Sequence, residues 1–208
     1  MSPLDLVKLH KPLYQPSAKH PAIVEVPELA FLMVDGRGDP ETAEPYHQAL
    51  EALYSVAYTL KSTLKKTDPE RDFKVAPLEG LWWADEEAPA MADLQRDRDA
   101  WNWTMMIAVP DTVPPAEVAA AWEAAARKRE LPAAPLLRLE RLEEGLAAQI
   151  MHVGPYSEEA PTIERLHAFA AAEGYELRGR HHEIYLGDPR RTAPERLKTV
   201  LRHPVTPA

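Results

Sequence analysis

A carboxylate and a phenol two residues apart, Glu183 and Tyr185 in His181-His182-Glu183-Ile184-Tyr185, are the pair best suited to chemistry in this chain. The segment reads as a strand, and alternate residues of a strand share a face. Glu183, Tyr185 and, at the strand's start, His181 therefore point one way, and His182 and Ile184 the other. In an apolar cleft Glu183 would act as a general base toward water or as the counter-charge of a cationic ligand. Tyr185 would hold that water or donate a hydrogen bond to a developing oxyanion. The alternative is a solvated strand face carrying an ordinary exposed glutamate.

Aromatic and methionine side chains are dense in one region, as Trp82, Trp83, Trp101, Trp103, Met105 and Met106. Alternation puts Trp101, Trp103 and Met105 on one face and divides Trp82 from Trp83. Trp82, Trp103 and Met105 are candidate pocket walls for a flat or cationic ligand, or they fill the core. Tyr54 and His152 complete the candidate lining, His152 serving otherwise as a hydrogen-bonding residue near the sheet interior. No metal site is expected. Among His152, His181, His182 and Glu183 the adjacent histidines face apart, no His-x-x-x-His helical spacing occurs, and the chain has no cysteine. No cofactor is expected either: Gly36-Arg37-Gly38 lacks the third glycine of a dinucleotide loop, and no phosphate loop or nucleophile elbow is present.

The elements that must position these residues follow from periodicity. Residues 1–21 carry Leu13 and Tyr14 among lysines, histidines and prolines without a sustained period, and read as a flexible lead-in or a lid. Ile23 to Val34, broken by Pro27, reads as a strand pair or one bent strand. Tyr46, Leu50, Leu53, Tyr54, Ala57, Leu60 and Leu64 recur at helical spacing. Strands are expected at Phe73 to Ala84 and Trp101 to Val109, separated by a polar loop with Asp93, Arg96, Asp97, Arg98 and Asp99. Pro114-Pro115 opens a linking helix to about Arg129. Leu136 to Glu143 and Gly145 to Val153 read as a hairpin, followed by a helix bearing Ile163, Leu166 and Phe169 and closed by Gly174. Strands at His181 to Leu186 and Lys198 to Val205 end the chain.

The order strand, helix, strand, strand thus occurs twice. Met33-Val34-Asp35-Gly36 before the first helix is matched by Met151-His152-Val153-Gly154 before the second. The expected fold is α+β: one domain over residues 22–205 made of two pseudo-repeated modules, about 22–113 and 136–205, joined by a helix. Antiparallel sheets would carry helices on one face and a ligand cleft on the other.

Composition narrows the function. A net charge of -9 and pI near 5.4 argue against a nucleic-acid partner and favour neutral or cationic ligands. The absence of cysteine and of any long apolar run predicts a cytoplasmic protein without a membrane partner. Its oligomeric state, monomer or homodimer, is left open.

His152-Val153-Gly154-Pro155-Tyr156, Gly174-Tyr175 and His182-Glu183-Ile184-Tyr185-Leu186-Gly187-Asp188-Pro189 together resemble the GyrI-like small-molecule-binding family. Leu78-Glu79-Gly80-Leu81-Trp82-Trp83 and Leu197 to Val205 resemble its stand-alone branch, which includes cyclopropanoid cyclopropyl hydrolases. The resemblance runs from about Ala22 to Val205. It implies two strand-helix-strand-strand modules with hydrophobic or cationic compounds bound in the groove between them, and a pocket glutamate at Glu183. It further implies hydrolysis of strained, electrophilic toxins, a detoxifying role, with Glu183 orienting or deprotonating water and Tyr185 holding that water or polarising the substrate. The competing implication is a binding-only protein that sequesters or senses drugs. No helix-turn-helix module is visible, so transcriptional control is not implied.

Overall fold

Extended segments dominate, and their pairing decides the architecture. The computed structural model describes residues 2–84 and 98–208; Asp93, Arg96 and Asp97 of the expected polar loop lie outside them. The strands are β1 (Ala22–Val26), β2 (Leu29–Arg37), β3 (Leu78–Trp83), β4 (Asn102–Val109), β5 (Arg138–Leu142), β6 (Gly145–Val153), β7 (Tyr175–Leu177), β8 (His181–Tyr185) and β9 (Lys198–Pro207). They form one antiparallel sheet in the order β1-β6-β9-β8-β3-β4-β2-β5, with β7 beside β9. The α+β class and the repeated order of elements are as expected. At the centre β3 and β8, the equivalent strands of the two modules, pair with Gly80 opposite Glu183 and Leu78 opposite Tyr185.

The helices are α1 (Leu6–Leu9), α2 (Lys11–Tyr14), α3 (Glu44–Thr67), α4 (Pro115–Ala126) and α5 (Ala160–Ala172). On α3 the buried stripe Ala49, Leu53, Val56, Ala57, Leu60 and Leu64 faces the sheet, as its spacing predicts. The stripe Ile163, Leu166 and Ala170 does the same for α5. Gly174, at φ 80°, takes the left-handed conformation that ends a helix at low cost.

Three expectations are corrected. The segments 136–143 and 145–153 do not form a hairpin: β5 pairs with β2, whereas β6 pairs with β1 and β9. Glu143-Glu144 lacks the residues a two-residue reversal demands, so the chain bends there and runs on. The first arm of each module thereby joins the sheet half of the other. Second, the lead-in is part of the core. Leu13 and Tyr14 are buried against Val26, Met151, Ile184 and Val200, and a bridge joins Leu4 to Phe73. Third, the cleft does not lie opposite the helices. Strand register puts Glu183 on the face with Gly80, Met105 and Leu201, the face that α3 and α5 cover, while α1 and α2 cover the other.

That other face holds a buried charge network. Nδ1 of His182 lies 3.0 Å from both oxygens of Glu144 and Nε2 lies 3.0 Å from Glu79 Oε2. Arg202 Nη1 donates to Glu144 at 2.9 Å, and Tyr14 Oη donates to Glu79 at 2.9 Å. Burial alone would lower the His182 pKa; the Glu144 charge and the hydrogen bonds to Glu144 and Glu79 overcome it and hold the imidazole up at about 9. Burial would likewise raise Glu144, but His182 and Arg202 pull it down to about 2.

Removing one member strands buried charge. Glu144→Gln is expected to lower unfolding stability by about 3–5 kcal/mol, measured by urea denaturation. In the native protein the His182 contribution is complete below its ordinary pKa of 6.5 and fades as pH rises through about 9. The Glu144 contribution is complete above 4.5 and fades as pH falls toward 2. A stability profile flat across both windows would contradict the assignment.

Candidate functional site

Between α3, the turn entering α5 and the exposed ends of β3 and β8 lies a cavity of about 1450 Å³. Its inner wall carries Tyr46 and Tyr54 from α3, Trp82 from β3, and Glu183 and Tyr185 from β8. Tyr156 and Glu159 close it from the α5 side. The Tyr46 ring lies 6.3 Å from that of Trp82 at an interplanar angle of 31°, and Trp101 meets Trp82 edge-on at 5.4 Å. Tyr156 meets Tyr185 edge-on at 5.5 Å. These rings supply flat apolar walls around one carboxylate.

A hydrogen-bond relay fixes that carboxylate. The Trp82 indole Nε1–H donates to Tyr185 Oη at 3.0 Å, and Tyr185 Oη donates to Glu183 Oε2 at 2.7 Å. Oε2 is thus occupied, and Oε1 lies 3.3 Å from His181 Nε2. Burial first, then the Glu183 charge, pushes the Tyr185 phenol well above its ordinary pKa. The same two causes raise Tyr46. Burial, with Glu159 and Glu183, holds Tyr156 up at about 12. All three phenols stay protonated and can donate hydrogen bonds.

Charge in the wall is mostly paired. Asp5 meets Lys74 at 2.9 Å, Glu41 meets Arg98 at 2.9 Å, Glu51 meets Arg129 at 2.8 Å and Asp188 meets Arg190 at 2.9 Å. Among the described residues, Glu183 and Glu159 have no lysine or arginine partner. Glu159 is only 5% exposed and its Oε1 lacks a hydrogen-bond partner. Burial and the nearby Glu183 charge lift its carboxyl to about 9, so it is protonated at neutral pH. Sequence reasoning missed Glu159, because an acid just before Ala160-Pro161 reads as an ordinary helix-start residue. Its side chain makes no capping bond, a signal visible only in three dimensions.

The sequence candidates divide. Glu183, Tyr185, Trp82 and Tyr54 come together in the cavity wall. Trp103, Met105 and His152 do not reach it, and their expected lining role is corrected. Trp103 is on the right face but fully buried beneath α3, edge-on to Tyr46 at 5.4 Å, with Nε1 donating to the Gly38 carbonyl at 3.3 Å. Its indole occupies the space over Gly36, where an added Cβ would stand 2.1 Å from the ring. Met105 is likewise fully buried, its sulfur packed over Gly80. His152 fastens a turn, with Nδ1 at 3.0 Å from Thr162 Oγ1 and Nε2 at 3.3 Å from the Pro155 carbonyl. Trp83, on the opposite face to Trp82, stacks under Arg180 at 3.6 Å.

Comparison with known proteins identifies the family and the fold. Residues 19–206 match the model of the GyrI-like small molecule binding domain. An uncharacterized conserved protein from Listeria innocua is 41% identical, with a TM-score of 0.89 over 98% of this chain and 100% of its own. A protein from the same organism described as a hydrolase is 40% identical, with a TM-score of 0.84 over the same shares. The C-terminal domain of EcmrR shares the fold at 15% identity, with a TM-score of 0.55 over 91% of this chain and 98% of its own. No curated protein matches the chain. No helix among the described residues is long and apolar enough to cross a membrane.

The lifted Glu159 carboxyl has a measurable sign. Folded Glu159 keeps its proton up to about 9 while the unfolded chain releases it near 4.5, so stability falls as pH rises between those values. Glu159→Gln removes that slope. The melting temperature of the variant should exceed that of the native protein by a margin that grows from pH 5 to 9, reaching at least about 3 °C.

Proposed function

Because this chain belongs to the GyrI-like small-molecule-binding family, we propose that its cleft captures flat or cationic hydrophobic compounds and hydrolyses electrophilic cyclopropanoids among them. The observation that carries the proposal is Glu183: among the described residues a carboxylate without a lysine or arginine partner, one oxygen held by Tyr185 and the other 3.3 Å from His181 Nε2, in a cavity with aromatic walls. The 40% identical Listeria protein described as a hydrolase supports the catalytic part.

In this reading a flat ring system lies along Trp82 and Tyr46, and a water is held by Glu183 Oε1. Glu183 takes one proton from the water as its oxygen bonds to a cyclopropane carbon. The strained carbon–carbon bond breaks, and its electron pair passes into the conjugated carbonyl. That oxygen takes the proton of Glu159, which is available at neutral pH because the carboxyl is held up at about 9. Glu183 then returns its proton to Glu159 through cavity water, and the net change is addition of one water. Tyr185 is a positioning residue, acting through Glu183. The resulting role is detoxification in the cytoplasm.

The same unpaired charge would also serve capture of a cation without turnover, and product formation separates the two readings. Incubating the native protein with a cyclopropane-bearing alkylator should give a product heavier by one water in the mass spectrum. Glu183→Gln should lower kcat by at least about 100-fold. Intact ligand bound by the native protein, or equal turnover by the variant, would refute catalysis by Glu183. Tyr185→Phe removes a hydrogen bond to a charged group, commonly about 1.5–3 kcal/mol, and should lower kcat on the order of 10- to 100-fold with a smaller change in KM.

A further inference from the structure

We infer that His167, His181 and His203 form a site for a divalent transition metal, zinc by preference, directly behind Glu183. His167 projects from α5, His181 opens β8 and His203 lies on β9. Each offers a ring nitrogen, and these nitrogens all lie within 4.8 Å of one another. The rings are mutually packed: His167 and His203 have centroids 5.2 Å apart at 81°, and His181 and His203 are 5.9 Å apart at 48°.

What sets the cluster apart from ordinary core histidines is its unspent hydrogen-bonding capacity. His181 is 5% exposed, and neither of its ring nitrogens makes a hydrogen bond. His167 Nε2 and His203 Nδ1 are also buried without partners. Buried polar atoms are normally satisfied, and a knot of unsatisfied ones needs a cause. One ion shared by three imidazoles provides it, since neutral imidazole suits zinc, copper and nickel. Zinc–nitrogen bonds of roughly 2.0–2.1 Å put tetrahedral ligand atoms about 3.3 Å apart. Binding would draw the ring nitrogens from within 4.8 Å of one another to that spacing.

Three histidines leave a tetrahedral ion one further position. Glu183 Oε1, 3.3 Å from His181 Nε2, borders that position. The metal would therefore sit on the far side of the carboxylate from Tyr185. The inference stands on the histidines and does not require that Glu183 be catalytic.

Full-length protein stripped with chelator, reloaded with zinc and freed of excess by gel filtration should retain one zinc per chain by elemental mass spectrometry. Partners of ligand histidines alone carry about 10- to 100-fold in affinity, so His167→Gln and His203→Gln should each weaken zinc binding at least about 100-fold. The exposed-residue control His20→Gln should retain it. Sub-stoichiometric zinc on the native protein, or full retention by both variants, would overturn the site. The native protein loaded with cobalt gives a check independent of variant folding: intense visible absorption of a tetrahedral ion supports the site, and the weak spectrum of an octahedral ion rejects it.

Discussion

His182 sits under the seam of the sheet with a carboxylate on each side of its ring, Glu79 from the first module and Glu144 from the second, and this buried arrangement constrains everything above it. Desolvation of a charged imidazole is costly, so the ring stays protonated only because both carboxylates are held against it. Arg202, on the strand beside it, completes the compensation through Glu144 and Gln149. The carbonyls of Pro12 and Leu13 accept from Gln149 and Arg202, and the Tyr14 hydroxyl donates to Glu79. The network therefore ties the N-terminal helices and both modules to one point. Such a network adds little net stability against a well-packed apolar core, but it penalises every arrangement that breaks it. It is a device for register more than for strength.

Register matters here because the side-chain period of a strand is two. With His182 committed to the network, Glu183 and Tyr185 must stand on the opposite face, under α3 and α5. A slip of one residue would bury Glu183 among the network charges and turn His182 into the cavity. The central β3–β8 pairing then sets Trp82 within reach of Tyr185, so that indole, phenol and carboxylate form a line drawn from two modules. The structural and the chemical sides of one five-residue strand are separated by the pleat alone.

Inside the cavity, electrostatics divides two carboxylates of the same kind. Burial and the Glu183 charge both disfavour ionisation of Glu159, which keeps its proton. The surrounding phenols are pushed upward by the same burial and the same charge. The outcome is the Glu183 carboxylate ringed by proton donors and aromatic surface, while the acids nearer the rim are paired with lysine and arginine. In the proposed reading, a cation or a polarised water meets its strongest attraction at Glu183.

Helical spacing placed α3 and α5, and alternation put Glu183 with Tyr185 and apart from His182; both are local properties of the chain, readable from residue order. The repeated order of elements and the α+β class were legible for the same reason. Strand partners were not. Nothing local distinguishes a hairpin at Glu143-Glu144 from a bend whose arms join opposite halves of the sheet, because pairing is decided by surfaces far apart in sequence. The cleft's position beside the helices, the burial of Trp103 beneath Tyr46 and the docking of residues 4–14 depend on such long-range contacts. So do Glu159, whose protonation comes from burial and from a charge supplied by β8, and the meeting of His167, His181 and His203 from three separate elements. Residue order determines which way a side chain points; only the assembled sheet decides what it meets there.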